Sequence, residues 1–194
     1  IQQSPNSSLL GLIDGYKFTG YRGLASHGAA IGVFIGLYLF IKKYKFKNFL
    51  WIFDRLTIPI AIGGAFVRIG NFFNSEILGK YTNSNWGIIF ENRGETLPRH
   101  PAQLYESFGY IILFIILYKL YQSSNIRDRK GVLSGYFLIG LCFIRFMVEF
   151  VKESQGGIET FLPGLSTGQW LSIPFIILGF ILLFNKGGTT KTIN

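Results

Sequence analysis

Five apolar stretches, at residues 24–41, 49–67, 102–121, 132–151 and 169–184, constrain this chain more than any other feature. Each holds about 16 to 20 residues, which at about 1.5 Å rise per residue crosses most of a hydrocarbon core about 30 Å thick. A composition of 49% hydrophobic and 15% charged residues would also suit a soluble domain, but here the apolar residues are gathered into runs instead of spread at amphipathic spacing. The 24 glycines fit membrane helices, and the first run is rich in small residues, Ala25, Ser26, Gly28, Ala29, Ala30, Gly32 and Gly36, that let helices approach closely. The expected fold is all-α: a polytopic transmembrane helix bundle of about five spans, forming one domain over residues 1–185, with a polar tail at 186–194.

A net charge of +9 raises the question of nucleic acid, yet the basic residues sit in short tracts beside apolar runs. Lys42, Lys43, Lys45 and Lys47 follow the first run, and Arg127, Arg129 and Lys130 follow the third. Orientation on an inner leaflet explains such tracts better, so no nucleic-acid partner is expected. The tracts and the lysine-bearing tail are assigned to the cytoplasm. Residues 1–23, 68–101 and 152–168 then lie on the opposite face, and alternation of five spans satisfies every segment. The lone cysteine, Cys142, lies within an apolar run and reads as a small buried hydrophobe.

With that topology the unusual polar residues gather in one leaflet. The most concentrated group follows the second run, where Arg68, Asn71, Asn74 and Glu76 stand among apolar residues. His27 opens the first span, His100, Gln103, Tyr105 and Glu106 the third, and Gln169 the fifth; Arg145 and Glu149 lie on the fourth. Ionisable groups at such depth are costly unless they face a bundle interior or a watery cavity. Each has a plain structural reading as well. Arg145 and Glu149, four residues apart, can neutralise one another, Arg68 can snorkel, Asn71 and Asn74 can join helices, and His27 can be a satisfied helix-end histidine. Asp54 and Arg55 read as an orientation feature, and Tyr105, Trp51 and Trp170 as interfacial anchors. The functional reading rests on convergence: two arginines in one outer-leaflet cavity suit an anion such as a phospholipid headgroup. These residues by themselves leave the reaction open.

Four segments carry a resemblance to a known family. They are Gly23-Leu24-Ala25-Ser26-His27-Gly28, the stretch from Arg68-Ile69-Gly70-Asn71 through Glu76 to Gly79, Arg99-His100-Pro101-Ala102-Gln103-Leu104-Tyr105-Glu106, and Arg145-Phe146-Met147-Val148-Glu149. In this order they resemble the prolipoprotein diacylglyceryl transferases of the bacterial inner membrane, and Leu165-Ser166-Thr167-Gly168-Gln169 fits the same pattern. The resemblance implies transfer of a diacylglyceryl group from phosphatidylglycerol to the lipobox cysteine of a preprolipoprotein, with release of glycerol phosphate. It also implies a site facing the outer leaflet of the cytoplasmic membrane, with membrane lipid as a partner and no metal or other cofactor.

Carried over position by position, the resemblance makes His27, Arg68, Arg145 and Glu149 catalytic, and Arg68, Asn71, Glu76, Gly79 and Arg145 binding residues for phosphatidylglycerol. His100, Gln103, Tyr105, Glu106 and Gln169 are supporting candidates. His27 is the natural base, with Glu149 or Glu76 as substitutes, because a free thiol is only a few per cent ionised at neutral pH. Val67 departs from the family, which usually has glycine there. Members normally have seven spans, the first carrying a tryptophan-tyrosine-glycine motif without a counterpart here, so the chain is expected to be a fragment. The alternative from another class is a non-catalytic phospholipid-binding scaffold or transporter subunit.

Overall fold

The computed structural model describes residues 13–14, 17–18, 26–44, 49–153 and 164–184. For residues up to 31, and for Phe34, that description is of the backbone alone. The polar tail at 186–194 and most of the loop after Glu153 lie outside the described residues. The chain divides into two compact units, residues 1–49 and 50–194. The first contains a two-residue antiparallel hairpin, β1 (Ile13–Asp14) with β2 (Lys17–Phe18), and helix α1 (Ser26–Tyr44), which ends on Lys42 and Lys43. Apart from this hairpin, the regular structure among the described residues is helical, as an all-α membrane bundle requires.

The second unit contains α2 (Phe49–Phe73), α3 (Ala102–Gln122), the single turn α4 (Ser124–Arg127), α5 (Val132–Val148) and α6 (Thr167–Phe184). Among the described residues α2, α3 and α6 are long and apolar enough to cross a membrane, and α5, at 17 residues, is a shorter apolar helix. The burial pattern is the reverse of a soluble domain's. On α3 the polar Gln103, Glu106 and Ser107 are buried while Phe108, Ile112, Ile115 and Ile116 are exposed. A helix with its large apolar side chains outward and its polar ones inward fits lipid surroundings. This is a membrane protein.

Three helix ends differ from expectation by three residues or more, the first being α1, read as ending at Ile41 but running on through Lys42 and Lys43 to Tyr44. The second apolar run ends at Val67 in the sequence, but α2 continues through Arg68 and Asn71 to Phe73. Its 25 residues rise about 37 Å, more than the core thickness, so the polar end of the helix stands beyond the hydrocarbon or the helix tilts. The polar group therefore begins on a helix, and the connection spans 74–101 in place of 68–101. The fourth run, read as 132–151, forms helix only to Val148. The backbone turns away there because Lys80 N donates to Val151 O at 2.8 Å and Glu153 N donates to Leu78 O at 3.2 Å.

The apolar core joins Ala61 of α2, Leu113 and Leu117 of α3, and Leu133 and Phe137 of α5. Missing side chains set the helix spacing. A Cβ on Gly135 of α5 would lie 2.8 Å from Gly179 O of α6, and one on Gly179 would lie 3.0 Å from Gly135 O, so this pair admits backbone against backbone.

At the opposite end from the polar group, Asp54 is fully buried on α2. Its carboxylate accepts from Gly131 N at 2.6 Å, from Ser134 N at 2.8 Å and from the Ser134 hydroxyl. A carboxylate at the N-terminus of α5 satisfies otherwise orphaned amide donors and meets the positive end of the helix dipole. Asp54 thus caps a helix 77 residues away in sequence. Its neighbour Arg55 stacks on the Trp51 ring at 3.4 Å and donates to Trp51 O. Asp54→Ala is expected to cost about 2–4 kcal/mol, because it orphans three buried donors. Thermal unfolding in detergent measures this, and adding Ser134→Ala to Asp54→Ala should cost little more.

Candidate active site

The site grows from the end of α2. After Phe73 the chain makes a tight turn in which Asn74 N donates to Gly70 O, Ser75 N to Phe72 O and Glu76 N to Asn71 O. Ser75 and Ile77 both take positive φ, 53° and 56°. For a β-branched residue such as Ile77 that conformation is strained, by roughly 1–3 kcal/mol, and persists only where its surroundings fix it. Two side chains do so: Arg93 Nε donates to Ser75 O at 2.9 Å, and the buried Gln103 amide donates to Glu76 O.

This turn places four charged or polar groups in register. Arg68 Nε lies 2.6 Å from Glu106 Oε2, and Glu106 is only 1% exposed. With its amide oriented to satisfy both neighbours, Asn71 accepts from Arg68 Nη1 at 3.1 Å and donates to Glu76 Oε2 at 3.3 Å. Glu106, Arg68 and Arg145 all lie within electrostatic reach of the buried Tyr110 hydroxyl of α3. Arg145 and Arg68 thus act on one common neighbour, Tyr110. Among the described residues no carboxylate stands within ion-pairing distance of Arg145.

Arg145 and Glu149 do not neutralise one another. The contact between them is the backbone bond from Glu149 N to Arg145 O at 3.0 Å, while the Glu149 carboxylate lies 3.8 Å from Lys152 Nζ. Gly168 at the start of α6 makes room for that carboxylate: a Cβ there would lie 2.6 Å from Glu149 Cδ. Gly79 has a comparable part, since it is buried and a Cβ on it would collide with the His100 carbonyl. Its amide donates to His100 O at 3.2 Å and its carbonyl accepts from Arg99 at 3.1 Å.

The remaining candidates have local partners. His100 Nδ1 and the Tyr105 hydroxyl are 3.2 Å apart. Gln169 and Ser166 form a reciprocal capping box at the start of α6: Ser166 N donates to Gln169 Oε1 at 3.0 Å and Gln169 N donates to Ser166 Oγ at 3.3 Å. The Gln169 amide also reaches Phe146 O on α5 at 3.4 Å. His27 lies on α1, and its side chain is outside the described residues. The structure thus brings together Arg68, Asn71, Glu76, Gln103 and Glu106, sets Glu149 beside them through Lys152, and places Arg145 within electrostatic reach of Tyr110, as Arg68 is.

Comparison with known proteins gives this cluster its context. The family model described as prolipoprotein diacylglyceryl transferase matches residues 10–185. Similar to the chain is the phosphatidylglycerol–prolipoprotein diacylglyceryl transferase of Tolumonas auensis, 45% identical over 161 residues, covering 83% of this chain and 61% of that protein. The enzyme of that name from Bacteroides fragilis is 43% identical over 173 residues, covering 89% of this chain and 61% of that protein. The chain belongs to the prolipoprotein diacylglyceryl transferase family. It spans about 60% of the length of these relatives.

Two groups in this chain escaped sequence reasoning. Lys152 reads as the first residue of a loop, yet it is 6% exposed and faces Glu106 and Glu149. Arg99 stands inside a quoted segment without being singled out. It is buried, pairs with Glu95 at 2.8 Å and Glu153 at 2.9 Å, and lies 3.9 Å above the Tyr81 ring. No periodicity marks either residue; the signal would have been a lone cation next to the family segments.

The Arg99 cluster gives the connection its pH response. Hydrogen bonds from Arg99 and then Tyr81 hold the Glu95 carboxyl below the usual glutamate range. Burial opposes the charge of Arg99, but Glu95 and Glu153 outweigh it and leave the guanidinium pKa raised. A carboxyl whose pKa is lowered by folding stabilises the fold above its unfolded value, about 4.3, and that contribution is lost as the pH falls below it. The difference in melting temperature between wild type and Glu95→Gln is therefore expected to narrow as the pH is lowered from about 6 to about 3.

Proposed function

We propose that the protein containing this chain transfers the diacylglyceryl group of phosphatidylglycerol to the lipobox cysteine of a preprolipoprotein, the first step of bacterial lipoprotein maturation. The observation that carries this reading is Arg145, a cation in an apolar helix without a carboxylate partner among the described residues, within electrostatic reach of the same Tyr110 as an Arg68 already fixed through Nε and Nη1. Such an arrangement favours an incoming phosphodiester.

In this reaction the cysteine sulfur attacks the glycerol carbon that bears the phosphate. A C–S bond forms, the C–O bond to phosphate breaks, the thiol proton passes to a base, and glycerol phosphate leaves with the bonding electron pair. Negative charge grows on the leaving phosphate, where preorganised guanidinium donors in a low-dielectric site are most effective. Arg68 and Arg145 supply those donors, with Asn71 keeping the Arg68 guanidinium in one plane and linking it to Glu76. His27 is the base in this scheme, an imidazole being suited to proton transfer near neutral pH. Glu149 completes the site, and Gly79 and Gly168 shape it.

The five apolar runs form one transmembrane domain of the bacterial inner membrane, with the lysine-bearing tail cytoplasmic and the site toward the periplasmic leaflet. Both the basic tracts and the gathering of Arg68, Glu76, Glu106 and Lys152 at the same ends of α2, α3 and α5 support that orientation. No nucleic acid and no metal or other cofactor takes part in this scheme.

The test uses the full-length polypeptide carrying this sequence, in detergent micelles containing phosphatidylglycerol, with a lipobox peptide. Glycerol phosphate release is expected to require the peptide cysteine and to fall about 10²-fold or more in Arg68→Ala and in Arg145→Ala. Lipid binding without release from the wild type would instead favour the scaffold. A separate comparison concerns the base: His27→Ala should lower turnover by about 10²-fold or more, and a variant with full turnover would remove His27 from that role.

A further inference from the structure

We infer that Lys152 is a positioning residue for this reaction: wedged between the Glu106 and Glu149 carboxylates, it holds Glu106 in the orientation that fixes Arg68. The inference rests on the transferase reading given above and adds to it a residue outside the family segments.

The Lys152 ammonium lies 3.7 Å from Glu106 Oε1 and 3.8 Å from Glu149 Oε2. Both of these oxygens are buried and have no hydrogen-bond partner among the described residues. Lys152 is thus their cation among the described residues, and it acts by charge, since 3.7 Å exceeds hydrogen-bonding distance. A buried carboxylate oxygen without a cation is costly, so Lys152 supports both carboxylates at once. A lysine ammonium is a compact point charge that sits between two acceptors, as the near-equal distances require. The other oxygen of Glu106 holds Arg68 Nε, so the chain of contacts runs from Lys152 through Glu106 to Arg68.

The backbone sets Lys152 in that position. It forms an isolated antiparallel bridge with Gly79, and Lys80 N to Val151 O and Glu153 N to Leu78 O close the pairing on either side. Lys80 Nζ adds a bond to Phe150 O at 2.9 Å. The segment after α5 is therefore tied to the end of the turn that carries Glu76. One residue joins three elements: the turn after α2, the start of α3 and the end of α5. Since Glu106 intervenes between Lys152 and Arg68, Lys152 orients the donors and is not itself a reacting group.

Glycerol phosphate release by the full-length polypeptide, with kcat and KM for phosphatidylglycerol measured separately, tests this. Lys152→Met is expected to lower kcat by about 10²-fold, the effect of misplacing a catalytic group by about 1 Å, with KM within about threefold of wild type. Lys152→Arg, which keeps the charge, should recover activity to within about tenfold of wild type. Because the effect passes through Arg68, adding Lys152→Met to Arg68→Ala should reduce kcat little further. Folded Lys152→Met with wild-type kcat, or full multiplicative losses in the double variant, would overturn the inference. If Lys152→Met does not fold, Lys152→Gln takes its place, and wild-type kcat there has the same meaning. An inactive wild type overturns the transferase reading and this inference with it, whereas an active wild type with indifferent Lys152 variants overturns this inference alone.

Discussion

The structure around the site depends on one ion pair, Arg68 with Glu106. Glu106 is buried on a helix whose outer face is apolar, and a carboxylate there persists only when its charge is met. Meeting it fixes the geometry. Arg68 must come from the last turns of α2, so α2 must extend as helix beyond its apolar run, and Lys152 must come from beyond α5, so the chain must leave that helix at Val148. The strained turn at Ser75 and Ile77 follows from the same demand. A relaxed turn would be easier to form, but it would not return the chain to Gly79, where pairing with Lys152 begins.

The two ends of the second unit handle buried charge differently. Asp54 is satisfied entirely by donors of α5, two amides and a hydroxyl, and has a single role as a helix cap. At the other end Glu106 Oε1, Glu149 Oε2 and Gln103 Oε1, and the donors Arg99 Nε and Trp170 Nε1, are buried without hydrogen-bond partners among the described residues, and Arg145 lacks a carboxylate partner there. A closed structural network leaves few such groups. Pairing is incomplete in one place and complete in the other, although both begin from acidic residues in apolar helices.

Much of this was legible in the sequence. Each of the five runs lies largely in a helix, three of them long and apolar enough to cross a membrane, because apolar segments of that length have few ways to satisfy their backbone other than as helices. The residues flagged by depth also met: Arg68, Asn71, Gln103 and Glu106 touch one another or a shared neighbour. What could not be read was pairing. The spacing of Arg145 and Glu149 suggests a mutual bond, yet Glu149 faces Lys152, since spacing permits a contact without deciding which of two cations is nearer. Gln169 looked like a site polar group and serves a capping box, whose Ser166 partner was in plain sight three residues earlier.

Sequence by itself thus determined the class of fold, the family, and which side chains are too costly to bury without purpose. All of these depend on composition along the chain, and transfer energies act residue by residue. Only the tertiary structure decided that a loop lysine is buried, that Asp54 caps a distant helix, and that Gly79 and Gly168 admit a carbonyl and a carboxylate at close quarters. Those outcomes depend on distances between segments far apart in sequence, and electrostatic and steric energies are set by separation in space, which no local pattern encodes.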